Sequence, residues 1–347
     1  MPTLFKYESG IKFLSKPTNL TYIADPISTK AASNSDAAFI THAHTDHSIA
    51  FPNEGIKVYS TEIASKLYEN LTARKPKNTH FVKLNKKFDV NDIEVKFIPA
   101  GHLLGAAQII FYFDDLTFCY TGDISTDEML TVPKAEVPDD EIDILIIEST
   151  YGRSDLIFDS RERTKISILK WVADSLQNKK IPTINIGHLG GAQELIAFLN
   201  GMLSIDIYCD ERTSQLNEVY RKEGIDLSWN SFDFLNDTEF KAENSVVLLP
   251  RAMKKVPEFL KSHKIKRSIV TGQASRFAFS NFEQAFPFSM HANCVELLNH
   301  VESIKPKKAY TLYGFDSEFA SIIRQKLKLQ ARPLKLAKEK PTLEEFL

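Results

Sequence analysis

The segment Ile40-Thr41-His42-Ala43-His44-Thr45-Asp46-His47 sets three histidines and one aspartate within six positions, directly after a short apolar run from Ala37 to Ile40. The apolar run reads as a buried strand. A chain that crowds nitrogen and carboxylate donors at a strand end must fold so that this end meets a cation, because imidazole and carboxylate together suit zinc, iron or manganese. Strand side chains repeat every two residues, so a His-x-His pair at the end of a strand throws both rings to one side. Asp46 and His47 continue into a turn and can face a second metal. The plain alternative is a histidine-rich surface loop.

Two further ligand-type residues stand at strand ends beside a glycine. Ala100-Gly101-His102 closes the run Glu94 to Pro99, and Tyr120-Thr121-Gly122-Asp123 closes the run Leu116 to Tyr120. A glycine there allows the backbone to approach closely. Singly, each reads as a hydrogen-bonded structural residue. In this order, after the first motif, they read as one ligand set.

The rhythm of the chain changes near Tyr151-Gly152. Before it, short apolar runs separated by polar turns predict strands at Leu20 to Ala24, Ala37 to Thr41, Lys57 to Ser60, Glu94 to Pro99, Ala107 to Phe113, Leu116 to Tyr120 and Asp143 to Ile147, with one helix from Thr61 to Thr72. After it, Arg161 to Leu176 reads as an amphipathic helix. Strands then alternate with helices: Thr183 to Ile186 before Ala192 to Leu203, Asp206 to Cys209 before Ser214 to Lys222, and Ser245 to Leu249 before Val256 to His263. That alternation predicts a parallel α/β unit. The final part, from 285 onward, shows a helix from Cys294 to Ile304, a strand from Ala309 to Leu312 and a helix from Ser317 to Leu329. The weakly periodic stretch Gly224 to Glu243 reads as a loop.

Lysine and arginine nearly balance aspartate and glutamate, 43 against 45, so any polyanion site must be a local patch rather than a global field. Cys119, Cys209 and Cys294 lie far apart and suggest neither a disulfide framework nor a thiolate zinc site. No apolar stretch is long enough to span a bilayer, and the N-terminus lacks the long apolar run of a signal peptide. No membrane partner is expected, and a reducing, cytoplasmic location is.

The series His42-x-His44-x-Asp46-His47, His102 and Asp123 resembles the ligand series of the metallo-β-lactamase fold, and Asp25, in Tyr22-Ile23-Ala24-Asp25-Pro26, resembles that fold's first acid. Three more segments narrow the likeness to the β-CASP subgroup: Ile147-Glu148-Ser149-Thr150-Tyr151-Gly152 is similar to its acidic motif, Phe288-Ser289-Met290-His291-Ala292 to its histidine motif, and Gly187 to Glu194 to its Gly-x-x-Gln-Glu helix start. The likeness runs from about residue 20 to about residue 330. The small exonuclease-like proteins linked with DNA ligases, or with messenger 3′-end processing, in bacteria and archaea look most similar. The resemblance implies an αββα sandwich core from residues 1–175 and 270–347, and an inserted α/β cap at 176–269. It places the active cleft where cap meets core.

By the same resemblance, His42, His44 and His102 hold a first zinc, Asp123 bridges, and Asp46 and His47 hold a second, with manganese an alternative metal. Glu148 orients His291, which donates a proton to the departing oxygen. Gly190, Gly191, Gln193 and Arg276 are candidate nucleic-acid contacts, the glycines because free amides at a helix N-terminus suit phosphate; a plain tight turn is the competing reading of that loop. The lysines between Arg251 and Arg267 border either a groove or solvent. His80, His188, His263 and His300 have no ligand spacing.

Four departures from the subgroup stand out. Tyr313 occupies a position where many members carry a last histidine ligand, Asn293 stands where aspartate is common, Gly191 where a basic residue is common, and Met290 precedes the motif histidine. A phenol is a poor zinc ligand, so the second site should be weak, and the replacement tilts the substrate toward DNA. The implied function is a metal-dependent DNA nuclease, 5′ exonucleolytic, working beside a DNA ligase or other repair proteins. The competing readings are an RNase or mRNA 3′-end processing nuclease, and a non-catalytic nucleic-acid-binding homologue.

Overall fold

A computed structural model describes residues 4–156, 158–233, 235, 240–272 and 282–336. The chain divides into two compact units, one of Met1–Glu128, Val132–Ile157 and His291–Leu347, the other of Met129–Thr131 and Phe158–Met290.

The first unit is built on two sheets. Leu4–Tyr7, Ile11–Leu14, Thr21–Ala24, Ala37–Phe39, Lys57–Thr61 and Thr79–Val82 follow one another across a six-stranded sheet. The seven-stranded sheet runs Ala331–Pro333, Lys308–Leu312, Ile144–Glu148, Thr117–Tyr120, Ala107–Tyr112, Ile93–Pro99 and Lys87–Val90. Its first four strands are parallel and its last four antiparallel, with Thr117–Tyr120 common to both sets. Alternating inward residues of both sheets form one core, among them Phe13, Tyr22 and Phe39 from the first and Phe97, Phe111 and Phe118 from the second. The Phe13 and Phe111 ring centroids lie 4.8 Å apart, and Phe39 meets Phe111 edge-on at 5.0 Å. Such aromatic pairs add about 0.5–1.5 kcal/mol each beyond the area they bury.

Helices cover the outer faces. Glu62–Thr72 packs beside Lys57–Thr61 and starts on Thr61, whose hydroxyl accepts the Ala64 N–H at 3.2 Å. Asp316–Leu327 packs on Lys308–Leu312 and Ala331–Pro333, with Cys294–Ile304 beside it. The layers are therefore αββα, as the resemblance implies. Five strands that the apolar pattern does not announce, Leu4–Tyr7, Ile11–Leu14, Thr79–Val82, Lys87–Val90 and Ala331–Pro333, lie toward the sheet edges. There a strand can be polar and short.

The second unit is a parallel sheet in the order Asn230–Ser231, Asp206–Cys209, Ser245–Pro250, Ile181–Ile186, Ile265–Val270, Gln284–Phe286, with helices Arg161–Gln177, Gly191–Met202 and Glu211–Lys222. Its limits differ from 176–269. Helix Arg161–Gln177 packs against Ile181–Ile186, and Gln284–Phe286 pairs in register with Ile265–Val270, so both belong to this sheet's layers. Residues 129–131 join it through Glu194. That buried carboxylate accepts the Leu130 and Thr131 amides at 3.1 Å, the Thr131 hydroxyl at 2.9 Å and Lys165 Nζ at 2.9 Å. The helix expected from Val256 to His263 is only a 3-10 turn, Glu258–Leu260. Pro257 restricts the residue before it, and the Arg267 guanidinium grips the Met253 and Lys254 carbonyls at 2.6 and 2.9 Å, holding the approach irregular. No helix among the described residues is long and apolar enough to cross a membrane.

His300, on Cys294–Ile304, is 4% exposed and its Nε2 donates to Gln108 Oε1 at 3.2 Å. Burial pulls its pKa down from 6.5 to about 4. Between those values the unfolded chain binds a proton that the folded chain refuses, so stability falls as pH drops from about 6.5 to about 4. The loss totals about 3 kcal/mol. Urea unfolding of the chain at pH 7 and pH 4.5 should therefore show a larger drop than the same pair of measurements on His300→Gln. Equal drops would remove His300 from the account.

Candidate metal centre

All the expected ligands but one converge at the ends of strands in the first unit. The strand Ala37–Phe39 stops before the histidines, and residues 40–47 continue irregularly, with His47 N–H donating to the His44 carbonyl at 3.0 Å. His42 and His44 lie with ring centroids 5.0 Å apart, and His102 lies 5.0 Å from each. Asp123 Oδ2 lies 3.5 Å from His42 Nε2, 3.6 Å from His47 Nε2 and 3.7 Å from His102 Nε2. One ligand atom from each of His42, His44, His102 and Asp123 falls within 4.8 Å of the others. Bond lengths near 2.1 Å in a tetrahedral zinc site put ligand atoms about 3.4 Å apart, so this spacing fits.

The glycines beside these ligands make room for protein, not only for an ion. A Cβ on Gly122, at φ +54°, would meet the Thr41 side chain at 2.8 Å; one on Gly101, at φ +74°, would meet the Ser125 carbonyl at 2.2 Å.

Asp25 sets the tautomers. This fully buried carboxylate accepts Thr41 N–H at 2.9 Å, Thr41 Oγ1 at 2.6 Å, His47 Nδ1 at 2.8 Å and Tyr120 Oη at 2.8 Å. Since the Thr41 hydroxyl donates to Asp25, it accepts from His42 Nδ1, 2.9 Å away. Both His42 and His47 then carry their proton on Nδ1 and turn Nε2 toward Asp123. His42 Nε2 is buried with no hydrogen-bond partner. Burial, reinforced by the surrounding imidazoles, holds His42 well below its usual pKa and hence neutral, the state a ligand requires. His44 Nδ1 and His102 Nε2 approach to 3.1 Å, which needs a proton or a cation between them. This largely buried donor set, with His42 Nε2 lacking a hydrogen-bond partner, fits a divalent ion.

Burial would depress His47, but Asp123 and Asp25 outweigh it and carry the ring up to about 10. Burial pushes Asp123 up to about 6 against the pull of His47 and His291.

Beside this cluster, His291 Nδ1 lies 3.1 Å from both oxygens of Glu148, and its Nε2 is 3.8 Å from Asp123 Oδ2. Glu148 is fully buried at the end of Ile144–Glu148 and also accepts Ile124 N–H at 2.7 Å. Burial works against its charge, yet His291 and these hydrogen bonds hold its pKa below the usual value. Burial lowers His291, and Glu148 and Asp123 more than reverse this, to about 9. The pair is a carboxylate with a proton-bearing imidazole. The Tyr151 ring stands 5.9 Å from His291.

Asp46 is the exception. Its side chain is 79% exposed and its Oδ2 is 3.8 Å from His47 Nε2, at the solvent rim. Asp25, His42 and His47 also lie close together, but Asp25 is committed to its four donors. Tyr313 follows Lys308–Leu312 at φ +67°; its ring is 5.5 Å from His47 and its hydroxyl 3.3 Å from Tyr120 Oη. Asn293 caps Cys294–Ile304, accepting the Val295 and Glu296 amides at 2.9 and 3.1 Å.

The other expected contacts separate. Gln193 is fully buried: Oε1 accepts Gly190 N–H at 2.7 Å, and Nε2 donates to the His188 carbonyl at 3.0 Å and to Asn217 at 2.8 Å. Its amide is spent inside the second unit, so the expected contact to nucleic acid is corrected to a structural role. Gly190, at φ +85°, has its own amide engaged by Gln193, which leaves the helix start at Gly191. Arg276 lies outside the described residues. Lys261 pairs with Glu258, and Lys266 with Asp174 at 2.8 Å. Asp25, Thr41 and Tyr120 form the support that ligand spacing does not reveal. Their signal is that they, too, are polar residues at strand ends.

No family model matches the chain. It is 25% identical over 295 residues to a probable DNA ligase of Opitutus terrae, an alignment covering 83% of this chain and 28% of the ligase. It is 26% identical over 342 residues to an RNase J-like protein of Methanocaldococcus jannaschii, covering 80% of this chain and 81% of that protein. Among solved structures, a protein of unknown function from Enterococcus faecalis V583 shares the fold with a TM-score of 0.66 over 98% of this chain and 99% of that one, at 14% identity.

Proposed function

We propose that this chain is a nuclease of the β-CASP group of the metallo-β-lactamase family, one that uses a metal ion to hydrolyse phosphodiester bonds. The observation that carries this is the quartet His42, His44, His102 and Asp123 standing beside the His291–Glu148 pair. We propose zinc as the ion, with manganese able to replace it, held by the quartet and a weaker second ion near His47. When bound, such an ion favours ionised water near neutral pH and steadies the charge that builds on the phosphate.

The chain's own residues supply the rest. Asp25 and Thr41 keep the proton of His42 on Nδ1, so Nε2 presents a lone pair. Glu148 holds His291 through Nδ1 and sustains its charge. His291 Nε2 is thereby the proton donor for the departing oxygen, a role worth about 10² to 10⁴ in rate. Asp46, exposed at the rim, can turn toward His47 as a further ligand.

The finer reading is a DNA nuclease acting from 5′ ends beside a DNA ligase or other repair proteins, in the cytoplasm. The likeness to a probable DNA ligase and the phenol of Tyr313 support it. Its competitor is an RNase, supported by the likeness along 81% of an RNase J-like protein. Purified chain with zinc or manganese should shorten 5′-labelled single-stranded DNA by mononucleotide release, faster than a matched RNA, and His44→Ala should not. Faster cleavage of RNA would select the competitor. Inertness of both proteins on every substrate would point to a binding protein.

A further inference from the structure

The seven-stranded sheet has two ends, and the metal cluster occupies only one. Lys308 opens the strand whose far end leads to Tyr313, beside His47. Five residues at about 3.3 Å each put roughly 16 Å between them. At the Lys308 end, Lys308, Arg324 and Arg332 line a cavity of about 200 Å³ with Tyr310 and Gln330. The surrounding segment, residues 305–335, holds eight basic residues against two acidic ones, in a chain whose net charge is −2. The cavity is thus a local positive site.

Its guanidinium groups are oriented. Arg332 sits 5.3 Å over the Tyr310 ring and donates to Tyr310 Oη at 3.2 Å. Arg324 Nη1 donates to the Ala331 carbonyl at 2.5 Å. Lys307 is engaged with Asp143 at 2.7 Å and Glu141 at 3.1 Å, so it belongs to a neutralised pair rather than to the cavity. Arginine forks held in place match phosphate oxygens bidentately. A lysine and two arginines around one small concavity suit a phosphodiester, not the broad contact of a folded acidic protein.

We infer that this cavity is an exosite for the nucleic-acid backbone, holding substrate at the opposite end of the sheet from the cleavage centre. The choice of ligand rests on the nuclease reading. The strand between them is buried, so a nucleic-acid strand must pass around it, and at about 3.4 Å per stacked nucleotide about five nucleotides is the least that joins the two places. Long substrates should therefore use the exosite and dinucleotides should not reach it.

The test is fluorescence anisotropy of the metal-free full chain with a 20-nucleotide single strand across a salt series. Each lost phosphate contact lowers the log–log salt slope by about 0.7, so Lys308→Gln with Arg332→Gln should lower it by about 1.4 and weaken binding roughly tenfold or more at 0.1 M salt. Arg324→Gln, at an exposed residue of the same cavity, is the second variant should the first fail to fold, and should lower the slope by about 0.7. Lys30→Gln with Lys57→Gln, the first on the short helix Thr29–Ser33 and the second on the six-stranded sheet, should not. With metal restored, the cavity variant should raise KM for the 20-mer and leave dinucleotide turnover unchanged. Unchanged slope and KM in a wild type that cleaves would overturn the exosite and leave the nuclease reading standing. Binding with the predicted slope change but no cleavage would do the reverse. Absence of both binding and cleavage would remove both. Equal loss of affinity for a polyglutamate peptide would reassign the site to acidic polypeptides and overturn the inference.

Discussion

Asp123→Ala should lose nuclease activity by roughly three orders of magnitude or more, and with it the bound metal. Residues that merely orient a ligand cost 10- to 100-fold in metal affinity or activity when changed, and Asp123 stands closer in. One of its oxygens lies between 3.5 and 3.8 Å from the Nε2 atoms of His42, His47, His102 and His291. Without it, four imidazoles face one another with no anion among them. Its loss removes the one carboxylate of the quartet, so the variant should hold a divalent cation far more weakly at neutral pH. Equilibrium dialysis against zinc and single-turnover cleavage measure the two losses together. Full activity in Asp123→Ala would mean that the cluster is not the centre of the reaction.

His291→Ala should separate chemistry from metal binding. The ring is held by Glu148 at 3.1 Å and is not needed to complete the quartet. The variant should keep the metal content of the wild type while kcat falls by about 10² to 10⁴, with KM little changed. Glu148→Gln should show the same pattern, because an uncharged partner no longer sustains the imidazolium. A fall in metal content equal to the fall in kcat would make His291 a ligand instead of a proton donor.

The donors were legible because ligand chemistry constrains residue type and position at once. His42, His44, His102 and Asp123 each stand where a strand ends, and the sheets bring those ends together. Asp46 lies at the rim for a physical reason. The strand stops at Phe39, and the turn expected for Asp46 and His47, closed by His47 N–H on the His44 carbonyl, swings His47 inward and Asp46 out. Asp25 was visible as an acid but not as a hub, because its four donors come from Thr41, His47 and Tyr120, distant in sequence. Gln193 reads as a nucleic-acid contact at a helix start, yet its side chain, like that of Glu194 beside it, is fully buried and hydrogen-bonded. Polarity in a sequence does not say which side of the fold a side chain takes. The unit boundary moved for a related reason: a helix amphipathic enough to cover either sheet, Arg161–Gln177, is assigned only by the strand it packs on.

The central claim is that His42, His44, His102 and Asp123 enclose one cation. The most direct measurement is an anomalous difference map of zinc-soaked crystals, recorded on both sides of the zinc edge. The account predicts a peak about 2.1 Å from His42 Nε2, bounded by His44, His102 and Asp123, and absent in His42→Ala. Crystals of a protein that still cleaves nucleic acid, with no peak among those four side chains, would contradict it.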